Sequence, residues 1–154
     1  MALKTDYAPN EELPAADVNA ANEQVNANEA AIAALSGGVE LEGTTTDATP
    51  TELESGVAID ASSVSEFDIQ VVAGDNVSSK GWNFKGTIKR DGAGNTALGG
   101  SVKKTSFGED DLAADWDVNV TADDTEETLV VTVTGEAVTT IKWKASISIS
   151  KITF

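Results

Sequence analysis

The side chains that could do chemistry here are carboxylates, because the chain carries 26 Asp and Glu but no His and no Cys. Without Cys there is no disulfide framework, thiol nucleophile, zinc knuckle or iron–sulfur ligation. Without His, the usual general base near neutral pH and the commonest transition-metal ligand are missing. Ser–His–Asp and Cys–His catalysis are therefore excluded. The best metal candidate is the run Glu109, Asp110, Asp111, Asp115 and Asp117, whose hard oxygen ligands would select calcium. It lacks EF-hand spacing, so a solvated acidic turn is the competing reading. The run Asp123-Asp124-Thr125-Glu126-Glu127 is a weaker version of the same pattern. A carboxylate pair could serve glycoside hydrolysis, but so many acids guarantee chance pairs. No phosphate-binding Gly-x-x-x-x-Gly-Lys-Ser/Thr motif is present. The expectation is a protein that is not an enzyme and has no resident cofactor, with calcium as the one ion to consider.

Charge narrows the partners. Ten Lys and Arg against 26 acids leave a formal charge of −16. Nucleic-acid binding runs on cations that neutralise phosphates, so nucleic acid is not an expected partner. Anionic membrane surfaces are disfavoured for the same reason. No apolar run approaches the roughly 20 residues needed to span a bilayer, so membrane insertion is not expected. Residues 1–10 have one Lys and no apolar core, which does not read as a secretory signal.

The elements that must position these groups change type near Gly37-Gly38. Residues 1–43 are rich in Ala and Asn, whereas all three Trp and all four Phe lie beyond residue 43. Residues 14–36 read as a helix of about 30 Å. Pro14 suits the first turn, nearby acids face the positive end of the dipole, and Gly37 suits the stop. Val18, Val25 and Ile32 are spaced by heptads, as are Ala21, Asn28 and Leu35. Read as a and d positions, they form a narrow seam for copies of the same helix, with Asn28 setting register. Packing on the chain's own C-terminal domain is the alternative. Residues 37–43 read as a Gly-containing linker.

From residue 44 to 154, alternating runs recur between turn residues. The runs are Phe67–Val71, Trp82–Lys89, Trp116–Val120, Leu129–Val133 and Ile141–Ile149. A further strand is expected from Thr96 to Phe107, with one or two short ones within Thr45 to Ile59. Gly74–Asn76, Asp91–Asn95, Gly108–Asp111 and Asp123-Asp124 have turn compositions. Seven or eight antiparallel strands in about 110 residues make a β-sandwich, jelly-roll or immunoglobulin-like, the default fold. The Trp residues could form a sugar-stacking platform. Each, however, is in phase with the apolar residues of its strand, as core or subunit-interface anchors would be.

Two stretches resemble known proteins. Leu13-Pro14-Ala15-Ala16-Asp17-Val18-Asn19-Ala20-Ala21-Asn22, continuing to Leu35, resembles the N-terminal connector of phage tail-fibre proteins. Thr46–Leu53, Lys80–Arg90, Gly108–Asp111, Trp116–Val118, Val133–Ala137 and Ile141–Trp143 follow an order similar to a β domain of tailed-phage fibre and spike proteins. The loop between Asp111 and Trp116 is longer than in that family. The resemblance implies a homotrimeric structural virion protein, a head fibre, tail fibre or spike, located on the virion surface after assembly in the host cytoplasm. Residues 1–13, with Leu3, Tyr7 and Leu13 as anchors, would dock on a capsid or tail protein. The β head would project towards host-surface glycans or proteins. A trimer would gather three times the −16 around one axis, which invites cations at the subunit contacts. A bacterial carbohydrate-binding or adhesin module is the alternative.

Overall fold

A computed structural model describes residues 38–154, and this part of the chain is mainly β with antiparallel sheets. Its strands are β1 (Gly38–Thr45), β2 (Thr51–Glu52), β3 (Val57–Ala58), β4 (Ser63–Gly74), β5 (Ser79–Arg90), β6 (Thr96–Leu98), β7 (Lys103–Phe107), β8 (Asp117–Asp123), β9 (Thr128–Thr134) and β10 (Ile141–Thr153). One 3₁₀ turn spans Asp111–Ala113. The larger sheet runs β1-β10-β4-β5, and β6 and β7 share the far side of β5. In the smaller sheet β9 is central, with β2 and β3 along one side and β8 along the other. This is consistent with a β-sandwich. Among the described residues no helix is long and apolar enough to cross a membrane.

The alternation read from the sequence places the core. On β4, Phe67, Ile69, Val71 and Ala73 are buried, while Glu66, Gln70 and Val72 face out. Phe84 and Ile88 of β5 and Ala145 and Ile147 of β10 join them. Val118, Val120, Leu129, Val131 and Val133 come from the smaller sheet. Period-2 patterning gives each strand one face for this core and one for water. Gly86 has a packing reason. It stands opposite Phe67, and a Cβ there would lie 2.7 Å from the Phe67 ring. The ring occupies the space that any other residue would fill.

Two expectations change. The stretch 37–43 was expected to be a linker, yet β1 begins at Gly38 and pairs with β10 from Gly38↔Ser148 to Thr45↔Ile141. Leu41 alone gives β1 a buried large side chain, because it is an edge strand. Three glycines in a short window masked its alternation. The single strand expected from Thr96 to Phe107 is two. The break falls at Gly99-Gly100, where the Gly99 N–H bonds back to the Thr87 carbonyl at 2.7 Å. A Cβ at Gly99 would meet the Thr87 hydroxyl at 2.2 Å, so the chain can turn this tightly only with glycine.

Register also sorts the connections. Gly74 lies opposite both Ser79 and Lys142, Thr45 opposite Ile141, and Phe107 opposite Gly81. The β1–β2, β4–β5, β7–β8 and β9–β10 connections therefore reach one end, and β3–β4, β5–β6 and β8–β9 the other. Aspartates hold the hairpins. Asp75 accepts the Val77 and Ser78 N–H groups at 2.7 and 2.6 Å. Asp91 accepts those of Ala93 and Asn95 at 2.8 and 2.9 Å. Asp123 accepts those of Thr125 and Glu126 at 2.7 and 3.0 Å. The backbone bonds from Ser78, Asn95 and Glu126 lead in holding these three carboxyls below their ordinary range.

A depressed folded-state value stabilises the fold above the unfolded value, about 3.9, and this contribution fades as pH falls through the lower folded one. Replacing Asp75, Asp91 and Asp123 together by Asn should therefore lower the melting temperature at pH 6. The difference should shrink steadily below about pH 4. Circular-dichroism melts at constant ionic strength check this, and an undiminished difference at pH 2 would contradict it.

Candidate functional site

The most organised cluster of aromatic and charged groups lies beneath the end where β4–β5, β7–β8 and β9–β10 turn. Trp82 enters from β5, Trp143 from β10, and Trp116 from the residue just before β8. All three are buried. The Trp82 and Trp143 rings stack with centroids 5.7 Å apart, and Trp116 tilts against Trp143 at 6.2 Å. The indole N–H of Trp143 donates to the Thr45 hydroxyl at 2.9 Å, and that of Trp116 to Glu136 at 3.4 Å. No flat aromatic surface faces water at these positions. The structure favours the core reading of the Trp residues over a sugar-stacking platform.

Lys80 completes the cluster. It points inward, with only 8 % of its surface exposed. Its ammonium donates to the carbonyls of Ala113, Ala114 and Trp116 at 3.2, 3.1 and 3.0 Å. The same nitrogen stands 5.4 Å over the Trp82 ring and 3.4 Å from Glu109. Three carbonyls, an indole face and a carboxylate replace the water this cation gave up. The 3₁₀ turn thereby has its C-terminal carbonyls capped by a side chain from another strand. Lys80 was not among the residues singled out from the sequence. A signal existed, because Lys80, Trp82 and Phe84 fall in one phase of β5.

The calcium candidates are placed individually. Glu109 faces Lys80. Asp110 accepts the Ser79 N–H at 2.7 Å and the Ser79 hydroxyl at 3.0 Å. Asp111 opens the 3₁₀ turn, and Asp115 is exposed beside it. Asp117 lies on β8 and pairs with Lys104. Among the described residues, no group of three or more such side chains gathers where it could hold a metal ion. The structure therefore uses Glu109, Asp110 and Asp117 as acceptors for the protein's own donors. The docking residues Leu3, Tyr7 and Leu13, and the seam residues Val18, Ala21, Val25, Asn28, Ile32 and Leu35, lie outside the described residues.

A second polar cluster ties the sheets at the opposite end. The Arg90 guanidinium donates to the Ile59 carbonyl at 3.0 Å, and its Nε lies 3.3 Å from Glu127 without hydrogen-bond alignment. The Thr96 hydroxyl donates to Glu127, and the Thr96 N–H to Asp124. Both clusters join strands to loops. Most of their carboxylates accept from donors within the fold.

Lys80→Met keeps the stem but strands three carbonyls, and it should cost about 2–3 kcal/mol in a urea melt. Hydrogen exchange should accelerate over residues 110–116 more than over β4 or β10. Uniform acceleration would contradict the pinning role. Trp143→Phe keeps the ring but removes the bond to Thr45, at an expected cost of about 1–3 kcal/mol. Thr45→Val on the Trp143→Phe background should add little, because the interaction is already gone. No family model matches the chain, and no curated protein does.

Proposed function

We propose that this chain is a structural protein of a bacteriophage particle, a homotrimeric short fibre or spike carried on the capsid or tail, without enzymatic activity. In this reading residues 1–13 dock on a capsid or tail protein. Residues 14–36 form a short trimeric coiled coil, and the β module is a sandwich of jelly-roll or immunoglobulin-like kind that projects from the virion surface towards the host. The observation that carries the reading is the succession of parts. A heptad-spaced seam, Val18, Val25, Ile32 with Ala21, Asn28, Leu35, precedes a β module with a core of its own. A seam of this width has its natural partner in another copy of itself. Burial of Trp82, Trp116 and Trp143 weighs against the carbohydrate-binding alternative, which needs rings at the surface.

Multi-angle light scattering of the full chain at neutral pH should give three times the 15.9 kDa of one chain. A mass of one chain would overturn the trimer. Deleting residues 1–13 should leave the oligomer and the β spectrum intact while abolishing incorporation into particles. Loss of the β spectrum on deletion would show that this segment belongs to the fold instead.

A further inference from the structure

Three of the connections at the Trp end are bound to one another. The Ser79 N–H and hydroxyl both donate to Asp110, and the Asp110 N–H returns to the Ser79 carbonyl at 3.2 Å. This couples the β4–β5 turn to the β7–β8 connection. The bond from Trp116 to Glu136 couples the β9–β10 connection to the same segment. Two residues beyond each tie, each loop lifts one apolar side chain into water. Val77 is 77 % exposed, Leu112 66 % and Val138 99 %. Phe107 stands lower at the same end, half exposed, across Gly81.

Apolar side chains scattered over a surface are ordinary, but three placed at neighbouring loop tips of one end form a contact surface in search of cover. The charges between them name the cover. Asp75, Glu109, Asp111 and Asp115 belong to these connections, and Asp47 to the β1–β2 connection at the same end. Among the described residues, the cations of this end are Lys142, Lys104, which pairs with Asp117, and the buried Lys80, whose ammonium is already committed. Such a field repels phosphate-bearing lipid and nucleic acid and attracts basic polypeptide.

We infer that this end of the β module is a docking surface for a cationic protein, whose apolar side chains cover Val77, Leu112 and Val138 while its Lys and Arg side chains meet the surrounding carboxylates. The inference deepens the appendage reading and rests on it for the setting, a protein on the host surface. The surface is rigid where it matters, since the Trp cluster and Lys80 hold the loops from below. Binding would thus bury apolar area without first ordering the segments that carry it.

The test uses the full chain and an amphipathic Leu/Lys peptide as the cationic probe. An all-Lys peptide and vesicles of phosphatidylcholine or phosphatidylglycerol serve as the other arms. Hydrogen-exchange mass spectrometry should show slower exchange over residues 75–78, 108–114 and 136–140 with the Leu/Lys peptide. The triple variant Val77→Ser, Leu112→Ser, Val138→Ser should bind it at least about tenfold more weakly, a difference of roughly 1.4 kcal/mol. Its melting temperature should stay near that of the parent, because the three side chains are exposed. Protection over the outer sheet faces would overturn the inference. Equal binding of the all-Lys peptide with no effect of the triple variant would do the same, leaving only a generally acidic surface. Vesicle binding stronger than peptide binding would assign the tips to lipid. A one-chain mass in light scattering would sink the appendage reading and leave this surface standing, so the two failures are distinguishable.

Discussion

The loop end of this protein rests on three indole rings and one ammonium. Trp82 and Trp143 come from strands separated in the larger sheet by β4, and Trp116 comes from the approach to the smaller sheet. Stacked together, they close the end of the β module where strands run out and connections begin. Each buried Trp removes about 150–250 Å² from water. At about 25 cal/mol per Å², that is several kcal/mol per ring before entropy is counted. Lys80 extends this floor into the backbone by binding the carbonyls after the 3₁₀ turn. Loosening any ring would loosen the loops above it, since Trp116 and Trp143 also orient Glu136 and Thr45.

The excess of acid is handled without a metal cage among the described residues. Some carboxylates work as turn acceptors, where one oxygen takes two backbone N–H groups. Others meet lysines across strands on the outer face of the larger sheet. Asp68 pairs with Lys85 at 2.6 Å, and Glu40 and Glu42 flank Lys144 at 2.9 and 3.3 Å. Asp68 is thereby held below the ordinary carboxylate range, first by its bond from Lys85, and Lys144 above the ordinary lysine range by Glu40 and Glu42. Exposed pairs of this kind contribute little to stability. Their value is in register, because a one-residue slip would set Asp68 opposite Phe84 or Gly86 and Lys144 opposite Leu41 or Gly43, and would turn these charges towards the core face.

Much of the fold was legible in the sequence where strands are half buried. Phe67–Val71, Trp82–Lys89, Leu129–Val133 and Ile141–Ile149 announced themselves by alternation, and each lies within a strand of the structure. Their lengths were understated, since β4 and β5 continue through Ser, Gly and Lys that carry no apolar signal. β1 was hidden because an edge strand buries little and tolerates glycine. The split of β6 from β7 was hidden because Gly99-Gly100 can be read either as a strand interior or as a corner.

What the sequence by itself determined is the class of the β module, the faces of its long strands and the chemistries it lacks. These follow from local period and composition, which need no partner. The tertiary structure alone decided which residues form the floor of the loop end. Lys80 is more than thirty residues in sequence from Ala113, Ala114 and Trp116. Only the pairing of β5 with its neighbours and the stacking of the two sheets bring them together. The acidic run from Glu109 to Asp117 makes the same point. In sequence it looks like one ligand set, but its donors come from β5 and β7, and those partners send its carboxylates in different directions. A carboxylate's role is set by the nearest donor in space, and that donor was beyond the reach of spacing along the chain.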